Sequence, residues 1–416
     1  MSTANPPMQP PRKTDMMVVL ISYLSFIALG LPGGMQGIAW YQEEWSSIRG
    51  TFALDLGALF PFLLVSTIGY STASFICGRL FARYSPATVF AAGTLLAGIG
   101  FLAFALAPSW GAMVAFGLLA GFGGGLVDGG MNIYFAAFFG PRLMNWLHAC
   151  FGIGLALGAV VMTIILKPGG LSEKGGSWQT GYMLAFGLYA VLAILFFVSR
   201  SRWMRVVGSH SAANTEVHAS ATLKLPVVWL GILIFMAYAG LESVPNNWLN
   251  ALFQRRGVED ASAATWVSLY LASFTIGRIF FGIIVTQFNP VKLIRACIGI
   301  MILMVAALLL NLLPDWGWVW VCVYGFVVAP IFALLITNTQ EQLGAAHAAN
   351  AIGFYVGAAS AGFGFLPGVA GLIADRSSLE IVPPFMLVMA LLLAGLYLVI
   401  SSSRLRHLVL RGVNAA

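Results

Sequence analysis

Charged side chains are scarce in this chain. Asp, Glu, Lys and Arg together make up 8% of its 416 residues, whereas hydrophobic residues make up 60%. A water-soluble domain carries about 25% charged residues, so this composition excludes an ordinary soluble enzyme or binding module. It favours a protein whose surface is in contact with lipid.

The chain also lacks the residue patterns of several kinds of site. Its four cysteines have no metal-ligand spacing and lie within or at the ends of apolar runs, so we expect no metal site and no disulfide framework. A phosphate-binding loop requires a Lys directly after its glycines. The glycine-rich stretch 121–125 has none. The sequence holds no evident nucleophile–base set. We therefore expect neither an enzyme nor an ATP-driven pump, and no cofactor.

Long apolar runs are what the chain does have. About 20 apolar residues are needed for a helix to cross a bilayer, and twelve runs meet that length. They are Met16–Trp40, Gly57–Leu80, Ala87–Ala107, Gly111–Phe139, Leu143–Leu166, Gln179–Val198, Pro226–Leu252, Ala264–Thr286, Leu293–Leu313, Trp316–Asn338, Ala346–Leu372 and Val382–Ser401. The first run is longer than the apolar part of a signal peptide, so we expect it to be a span. The sequence predicts an all-α polytopic membrane protein.

The net charge of +7 follows from the topology that these runs impose. With the amino terminus in the cytoplasm, 14 of the 21 Lys and Arg residues fall on inner segments and 6 on outer ones. This bias is the positive-inside pattern. We therefore expect an integral protein of the cell (inner) membrane with both termini in the cytoplasm, and no nucleic-acid partner.

The two halves of the sequence repeat one another. Stretches 78–86 and 282–290 place Gly, an aromatic residue, a small polar residue and Pro at the same offsets. Similar offsets relate Trp110 to Trp316 and Asn145 to Asn350. The expected division is a leader (1–15), an amino-terminal bundle of six helices (16–200), a central loop (201–225), a carboxy-terminal bundle of six helices (226–403) and a tail (404–416).

Six spans, a loop and six equivalent spans resemble the architecture of the major facilitator superfamily. Three stretches, 123–132, 144–154 and 238–249, are similar to its fucose–proton symporter-like branch, which includes sodium-dependent glucose transporter-like proteins. The resemblance implies a transporter in which two bundles rock about a central site. We expect such a chain to act as a monomer in the lipid bilayer, since it contains both halves of the site.

Two positions depart from the pattern of that family. The loop after the second span has Ala82 where the superfamily usually carries an acid, and Arg83 is retained. The first span has Gln36 in a glycine-rich stretch, where fucose-type symporters carry an acid. These departures indicate an altered charge latch and a different substrate or coupling scheme.

Two carboxylates, Asp128 and Glu242, lie within predicted spans. A charged side chain at the bilayer centre costs about 2.5–3.5 kcal/mol on insertion scales, so it usually faces a partner or a watery cavity. Asp128 shares a helix face with Asn132 and lies at the depth of His148. Desolvation disfavours the charged form of an acid. We predict that Asp128, His148 and Glu242 couple transport to protons; the alternative is a structural, hydrogen-bonded acid.

The seventh span is rich in amides beyond Glu242. An interrupted helix with Pro245 and several Asn side chains suits a hydroxyl-bearing ligand, because amides both donate and accept hydrogen bonds. An ordinary interfacial helix end is the alternative. The residues predicted to contact the substrate are Gln36, Asn132, Asn145, Glu242, Asn246, Asn247, Trp248, Asn338 and Asn350. Trp40 and Tyr238 are further candidates for stacking on a sugar ring.

We expect Arg278 and Glu341 to form a structural ion pair, which with Arg83 would make up a charge latch; contact of Arg278 with substrate is the alternative. The sequence favours secondary transport of a small polar solute, foremost a sugar, in symport with protons, with Na⁺ as the other possible coupling ion. Export of amphipathic compounds is the next interpretation. A non-transporting receptor on the same fold is the third.

Overall fold

The computed structural model describes residues 15–41, 46–54, 58–169, 175–203, 217–312 and 314–402, and all regular structure in these ranges is helical. The α-helices are α1 Met16–Tyr41, α2 Ile48–Phe52, α3 Leu59–Arg83, α4 Pro86–Ala105, α5 Trp110–Phe138, α6 Pro141–Leu166, α7 Trp178–Val198, α8 Ala219–Leu223, α9 Pro226–Arg255, α10 Asp260–Ile284, α11 Pro290–Leu309, α12 Gly317–Val328, α13 Ile331–Arg376 and α14 Val382–Ile400. Short 3-10 turns precede or follow several of them.

Eleven helical stretches in the described ranges are long and apolar enough to cross a membrane. One of them, Pro314–Arg376, has 63 residues, about three times what one crossing needs. Within it, Gly344 has φ 72° and ψ 164°, a backbone conformation that glycine adopts without steric cost. Gly344 divides α13 into a first leg (331–343) and a second leg (345–376). With the legs counted separately, the twelve predicted spans are present.

The repeated stretches of the sequence each end one helix and start the next. The Ser85 hydroxyl accepts a hydrogen bond of 3.3 Å from the Thr88 amide at the start of α4. In the second half, Asn289 Oδ1 accepts one of 3.1 Å from the Lys292 amide at the start of α11. Both helices begin with the proline that follows the cap, where the missing N–H costs nothing. The repeated sequence pattern therefore corresponds to the same helix N-cap in both halves.

We call the side of the bundle that carries the Met16 end of α1 and the Ile400 end of α14 the terminal face, and the other side the opposite face. Helices α1 to α7 form the first half of the molecule, and α9 to α14 form the second. The halves meet where α13 packs on α3 and α5, and where α10 packs on α6.

The halves approach most closely through glycines near the terminal face. A Cβ atom on Gly78 would lie 2.8 Å from Asn350 Cα, and one on Gly353 would lie 2.5 Å from the Ser74 carbonyl oxygen. On the other side of the interface, Trp146 Nε1 donates a hydrogen bond of 3.2 Å to the Ile279 carbonyl. Small residues permit such close approach of helices. The terminal face is therefore closed in this conformation.

The short helix α8 is attached to this closed face. Asn350 Nδ2 donates to the Val217 carbonyl at 3.1 Å, and Thr222 Oγ1 lies 3.0 Å from His347 Nδ1. Both partners are in the second leg of α13, just beyond Gly344. Residues 217–223 are thus fastened to the second half, beside its contact with α3.

Candidate functional site

Asp128 lies in α5 at the centre of a set of neutral hydrogen-bonding groups. Asn132, one turn further along, donates from Nδ2 to Asp128 Oδ1 at 3.0 Å and to the Asp128 carbonyl at 3.0 Å. The Tyr70 phenol of α3 also lies beside the carboxylate and interacts with it. Asn132 is fully buried, so the amide is held in one orientation by the carboxylate beside it.

His148 continues this set towards the second half. Its Nε2 lies 3.1 Å from Asn132 Oδ1. Because that amide oxygen can only accept, Nε2 is the donor of this hydrogen bond. The ring packs edge-on against Phe26 of its own half and Phe332 of the other half, with centroid distances of 5.4 Å and 4.9 Å. Asp128 and His148, both predicted to take part in proton coupling, are therefore connected through Asn132.

Arg278 of α10 joins the two halves at the same place. Its Nη1 donates to the His148 carbonyl at 3.2 Å, and its Nη2 lies 3.5 Å from Glu242 Oε1 in α9. The guanidinium also lies 4.1 Å from the centre of the Phe274 ring. The prediction that Arg278 pairs with Glu341 is wrong, because Glu341 is exposed at the terminal face and the buried guanidinium has a nearer carboxylate.

The two intramembrane acids are thereby connected by one chain of polar contacts. It runs from Asp128 through Asn132 to the His148 ring, and from the His148 carbonyl through Arg278 to Glu242. Four helices contribute to it, namely α5, α6, α9 and α10. The chain crosses between the halves where α6 meets α10, so His148, one of the residues predicted to titrate, takes part in the contact between the halves through its backbone carbonyl.

Three of the predicted substrate residues are at least partly exposed and lie further from the terminal face than Glu242 or on the other half of the molecule. Asn246 and Asn247 are exposed, one turn beyond Glu242 in α9, and Gln36 is partly exposed in α1. A Cβ atom on the neighbouring Gly37 would have no atom within 4 Å. The Glu242 side chain is 18% exposed. Asn246 stands four residues after Glu242 and so shares a helix face with it, which makes this the side of α9 from which Glu242 is reachable.

Three other predicted substrate residues lie near the terminal face instead. By the helix rise of about 1.5 Å per residue, Asn145, Asn338 and Asn350 fall within about 9 Å of the helix ends there. All three are buried. Asn145 donates to the Pro141 carbonyl at 2.8 Å, and Asn350 fastens residue Val217. In this conformation Asn350 belongs to the closed contact, and the depth of all three separates them from Glu242.

The aromatic candidates are occupied by packing. Trp248 Nε1 donates to the Pro367 carbonyl at 2.9 Å, which ties α9 to the second leg of α13. Trp40 is buried against Trp110, with ring centroids 5.3 Å apart, and Tyr238 is fully buried. The faces of Trp40 and Tyr238 are thus covered by protein in this conformation. Arg83 of the predicted latch is exposed at the terminal face.

The sequence interpretation did not predict that tyrosines would lie beside the two acids. Tyr70 lies beside Asp128, Tyr238 lies beside the Glu242 carboxylate and donates to the Val328 carbonyl at 3.4 Å, and the Tyr270 hydroxyl donates to the Glu242 carbonyl at 2.9 Å. Tyr238 stands four residues before Glu242, a spacing that places both on one helix face. That spacing was a usable signal. Tyr70 and Tyr270 belong to other helices than the acids that they contact, and no sequence spacing indicated those contacts.

Comparison with known proteins supplies independent information on the whole chain. A sequence profile of the Major Facilitator Superfamily matches residues 18–367. The Fosmidomycin resistance protein of Escherichia coli (strain K12) is 27% identical over 242 residues, which cover 55% of this chain and 55% of that protein. The match thus spans about half the length of this curated relative.

Solved structures resemble the chain over nearly its full length. The transporter FucP in its outward conformation has a TM-score of 0.75 at 14% identity, covering 94% of this chain and 99% of FucP. The proton:xylose symporter XylE has a TM-score of 0.70 at 13% identity, covering 91% and 94%. The human organic anion transporter TETRAN has a TM-score of 0.64 at 14% identity, covering 94% and 100%. At these identities the likeness shows the fold, and the predicted architecture is confirmed.

Proposed function

This chain belongs to the Major Facilitator Superfamily and is therefore a membrane transporter rather than an enzyme, and we propose that it takes up a small polar solute, foremost a sugar, together with protons. The observation that carries this proposal is the chain of polar contacts from Asp128 to Glu242. Its middle members, His148 and Arg278, also form the contact between the halves.

Asp128 is the group assigned to carry the coupling proton. Both of its described side-chain partners, Tyr70 and Asn132, are neutral, so a proton can be gained or lost without leaving another charge unpaired. The ionised carboxylate accepts from Asn132 Nδ2. A protonated carboxyl group can donate instead, which favours the reversed orientation of the Asn132 amide.

Reversal of the Asn132 amide would change the hydrogen bond that His148 makes. With its Nδ2 turned towards the imidazole, Asn132 would donate to Nε2 rather than accept from it, which requires the other tautomer of His148. The ring is packed between Phe26 and Phe332, and the His148 carbonyl holds Arg278. Protonation of Asp128 would in this way be transmitted to a ring that packs between the two halves, where it can change how they fit together.

The solute is assigned to the opposite side of the same chain of contacts. Glu242 is partly exposed there, and the amides of Asn246, Asn247 and Gln36 supply donors and acceptors for hydroxyl groups. Binding between the halves, with access alternating between the two faces, is the general behaviour of such folds. The conformation described here would then be the one that receives solute from the opposite face.

We further propose that the terminal face is cytoplasmic, that the halves correspond to residues 16–200 and 226–403, and that the transporter works as a monomer. The excess of Lys and Arg on segments of the terminal face supports this orientation. Single-cysteine variants at Tyr84 and Trp316 in intact cells would test it. Labelling by an impermeant maleimide is expected at residue 316 and not at residue 84.

The decisive experiment is uptake into proteoliposomes under an imposed pH gradient, with a panel of hexoses and pentoses, repeated with a Na⁺ gradient. Accumulation of one solute that collapses when a protonophore is added would support proton symport. The Asp128→Asn variant should then equilibrate the solute without concentrating it. Equal accumulation by that variant would remove Asp128 from the mechanism.

Export in exchange for protons is the second candidate. The observation that favours it is the 27% identity with a protein named for drug resistance. The same polar contacts would serve an antiporter, because a proton and a solute could then compete for Glu242 instead of binding together. In the liposome assay, an exporter would expel preloaded solute when protons enter, whereas a symporter would retain and concentrate it.

A further inference from the structure

The ion pair between Arg278 and Glu242 is incomplete in a way that a second anion would complete. The two side chains share one contact of 3.5 Å, whereas charge-assisted pairs usually approach to about 2.7–2.9 Å and arginine often binds a carboxylate through two N–H groups. Arg278 Nε and Glu242 Oε2 are buried and have no hydrogen-bond partner. Unsatisfied buried polar atoms of this kind are uncommon in native proteins and call for an explanation.

The buried position of Arg278 makes its charge balance a constraint. The guanidinium side chain is 6% exposed, and its described contacts are the His148 carbonyl, the Phe274 ring and Glu242. Glu242 is the contact that carries a negative charge. Once Glu242 takes a proton, the guanidinium lacks a contacting counterion, and a buried charge without a partner is strongly unfavourable.

The other ionisable groups near Glu242 do not supply that counterion. Tyr238, Tyr270 and Tyr324 surround it from α9, α10 and α12, and phenols are neutral at physiological pH. Across the interface, Asp128 attracts the guanidinium at longer range, but its Oδ1 is engaged by Asn132. A negative charge delivered by the solute would restore the balance.

We propose that the transported solute carries a carboxylate, and that Arg278 binds this carboxylate when Glu242 is protonated. The substrate class is then an acidic sugar or a similar hydroxylated organic anion, with hydroxyl groups for the amides of Asn246 and Asn247. This inference rests on the proposed function and narrows it. Proton and anion bind together because each removes the unfavourable charge that the other would create.

The test compares acidic with neutral sugars in proteoliposomes under an inward pH gradient. We use glucuronate and gluconate against glucose and fucose, with the wild-type protein and the variants Glu242→Gln, Arg278→Gln and Arg278→Lys. Arg256→Lys is the matched control, because Arg256 pairs with Glu380 in the same half but away from the candidate site.

The wild type should accumulate an acidic sugar at least tenfold better than its neutral counterpart. Glu242→Gln mimics the protonated acid, so the affinity of this variant for the anion should no longer fall as the pH rises from 6 to 8. Arg278→Gln should lose the preference for acids, Arg278→Lys should keep part of it, and Arg256→Lys should keep all of it. Because Arg278→Gln can also impair folding, its thermal unfolding in detergent is measured alongside.

The possible failures are distinguishable. Proton-driven accumulation of a neutral sugar with no uptake of, or competition by, the acids overturns the inference and leaves the proposed function intact. A Glu242→Gln variant whose anion affinity keeps the wild-type pH dependence overturns the inference as well. If the pH gradient drives uptake of neither acidic nor neutral sugars, the proposed function fails with it.

Discussion

Asp128 and Glu242 are both carboxylates inside a span, but their partners differ in charge. Asp128 is held by the neutral side chains of Asn132 and Tyr70, whereas Glu242 faces the guanidinium of Arg278. A carboxyl group among neutral donors can exist with or without its proton at little cost to its neighbours. A carboxylate that neutralises a buried cation cannot, because its protonation leaves that cation unpaired.

This difference suits the two acids to different tasks. Asp128 is suited to bind and release the coupling proton, because its protonation changes only the direction of hydrogen bonds. Glu242 is suited to give up its place as the counterion of Arg278 to an anionic solute, and so to make solute binding depend on its own protonation. The buried contact through His148 and Arg278 lies between them. Substitutions can test whether the two environments behave so differently.

The largest effect is expected from Arg278→Gln. This change leaves the Glu242 carboxylate buried without its counterion and should lower the free energy of unfolding by about 3–5 kcal/mol. Thermal and denaturant unfolding in detergent would measure the loss. The double variant Arg278→Gln with Glu242→Gln should recover part of it, because no charge then remains. A double variant no more stable than Arg278→Gln alone would mean that the unpaired carboxylate is not the cause of the loss.

Asp128→Asn should behave in the opposite manner. The asparagine oxygen can still accept from Asn132 Nδ2, so we expect the free energy of unfolding to change by less than about 1 kcal/mol. Accumulation driven by a pH gradient should nevertheless be abolished. Unfolding and transport are measured on the same preparation, with Asn132→Ala as a control that disturbs the hydrogen bonds and keeps the acid. Strong destabilisation by Asp128→Asn would contradict the neutral environment described for it.

His148→Phe should have an intermediate effect. Phenylalanine keeps the ring packing against Phe26 and Phe332 but leaves Asn132 Oδ1 buried without a donor, at a cost of about 1–3 kcal/mol. His148→Gln retains a donor and should cost less. The ratio of accumulated to external solute should fall in both variants, and further in the phenylalanine variant. If the two variants have the same accumulation ratio, the hydrogen bond to Asn132 does not contribute to coupling.

The smallest effect is expected at residues remote from both acids. Thr222→Val removes the hydrogen bond to His347 and should weaken closure of the terminal face by about 0.5–1.5 kcal/mol. Thr337→Val is its control, because the Thr337 hydroxyl bonds only carbonyls of its own helix among the described contacts. Labelling of a cysteine that replaces Ser74, which is buried where Gly353 meets α3, would report the opening. Equal labelling in both variants would show that α8 does not hold the face closed.

Much of the fold followed from the sequence, because lipid imposes strict local rules. Apolar length located the spans, and the prolines with Ser85 and Asn289 located the helix ends to within a few residues. The repeat of Gly78 and Gly282 also marked something real, since each glycine lies against the other half, near Asn350 and Trp146 respectively. The sequence could indicate that these glycines corresponded, but not which helix each would contact.

The partners within the site were harder to predict. Arg278 and Glu242 are adjacent only because α9 and α10 pack side by side, and no spacing along the chain encodes that contact. The asparagines were predicted to bind substrate because amides suit hydroxyl groups, but their position along each helix decides whether they can reach the site. Asn145 and Asn350 stand in the second turn from a helix end at the terminal face, whereas Asn246 and Asn247 stand beyond the centre of α9.

Gly78 has a practical consequence. A methyl group at this position would lie 2.8 Å from Asn350 Cα, and a backbone atom cannot move aside as a flexible side chain would. Gly78→Ala would therefore push α3 and α13 apart and favour the conformation in which the terminal face is open. Such a variant would offer a way to trap that shape for crystallography or for the selection of conformation-specific antibodies.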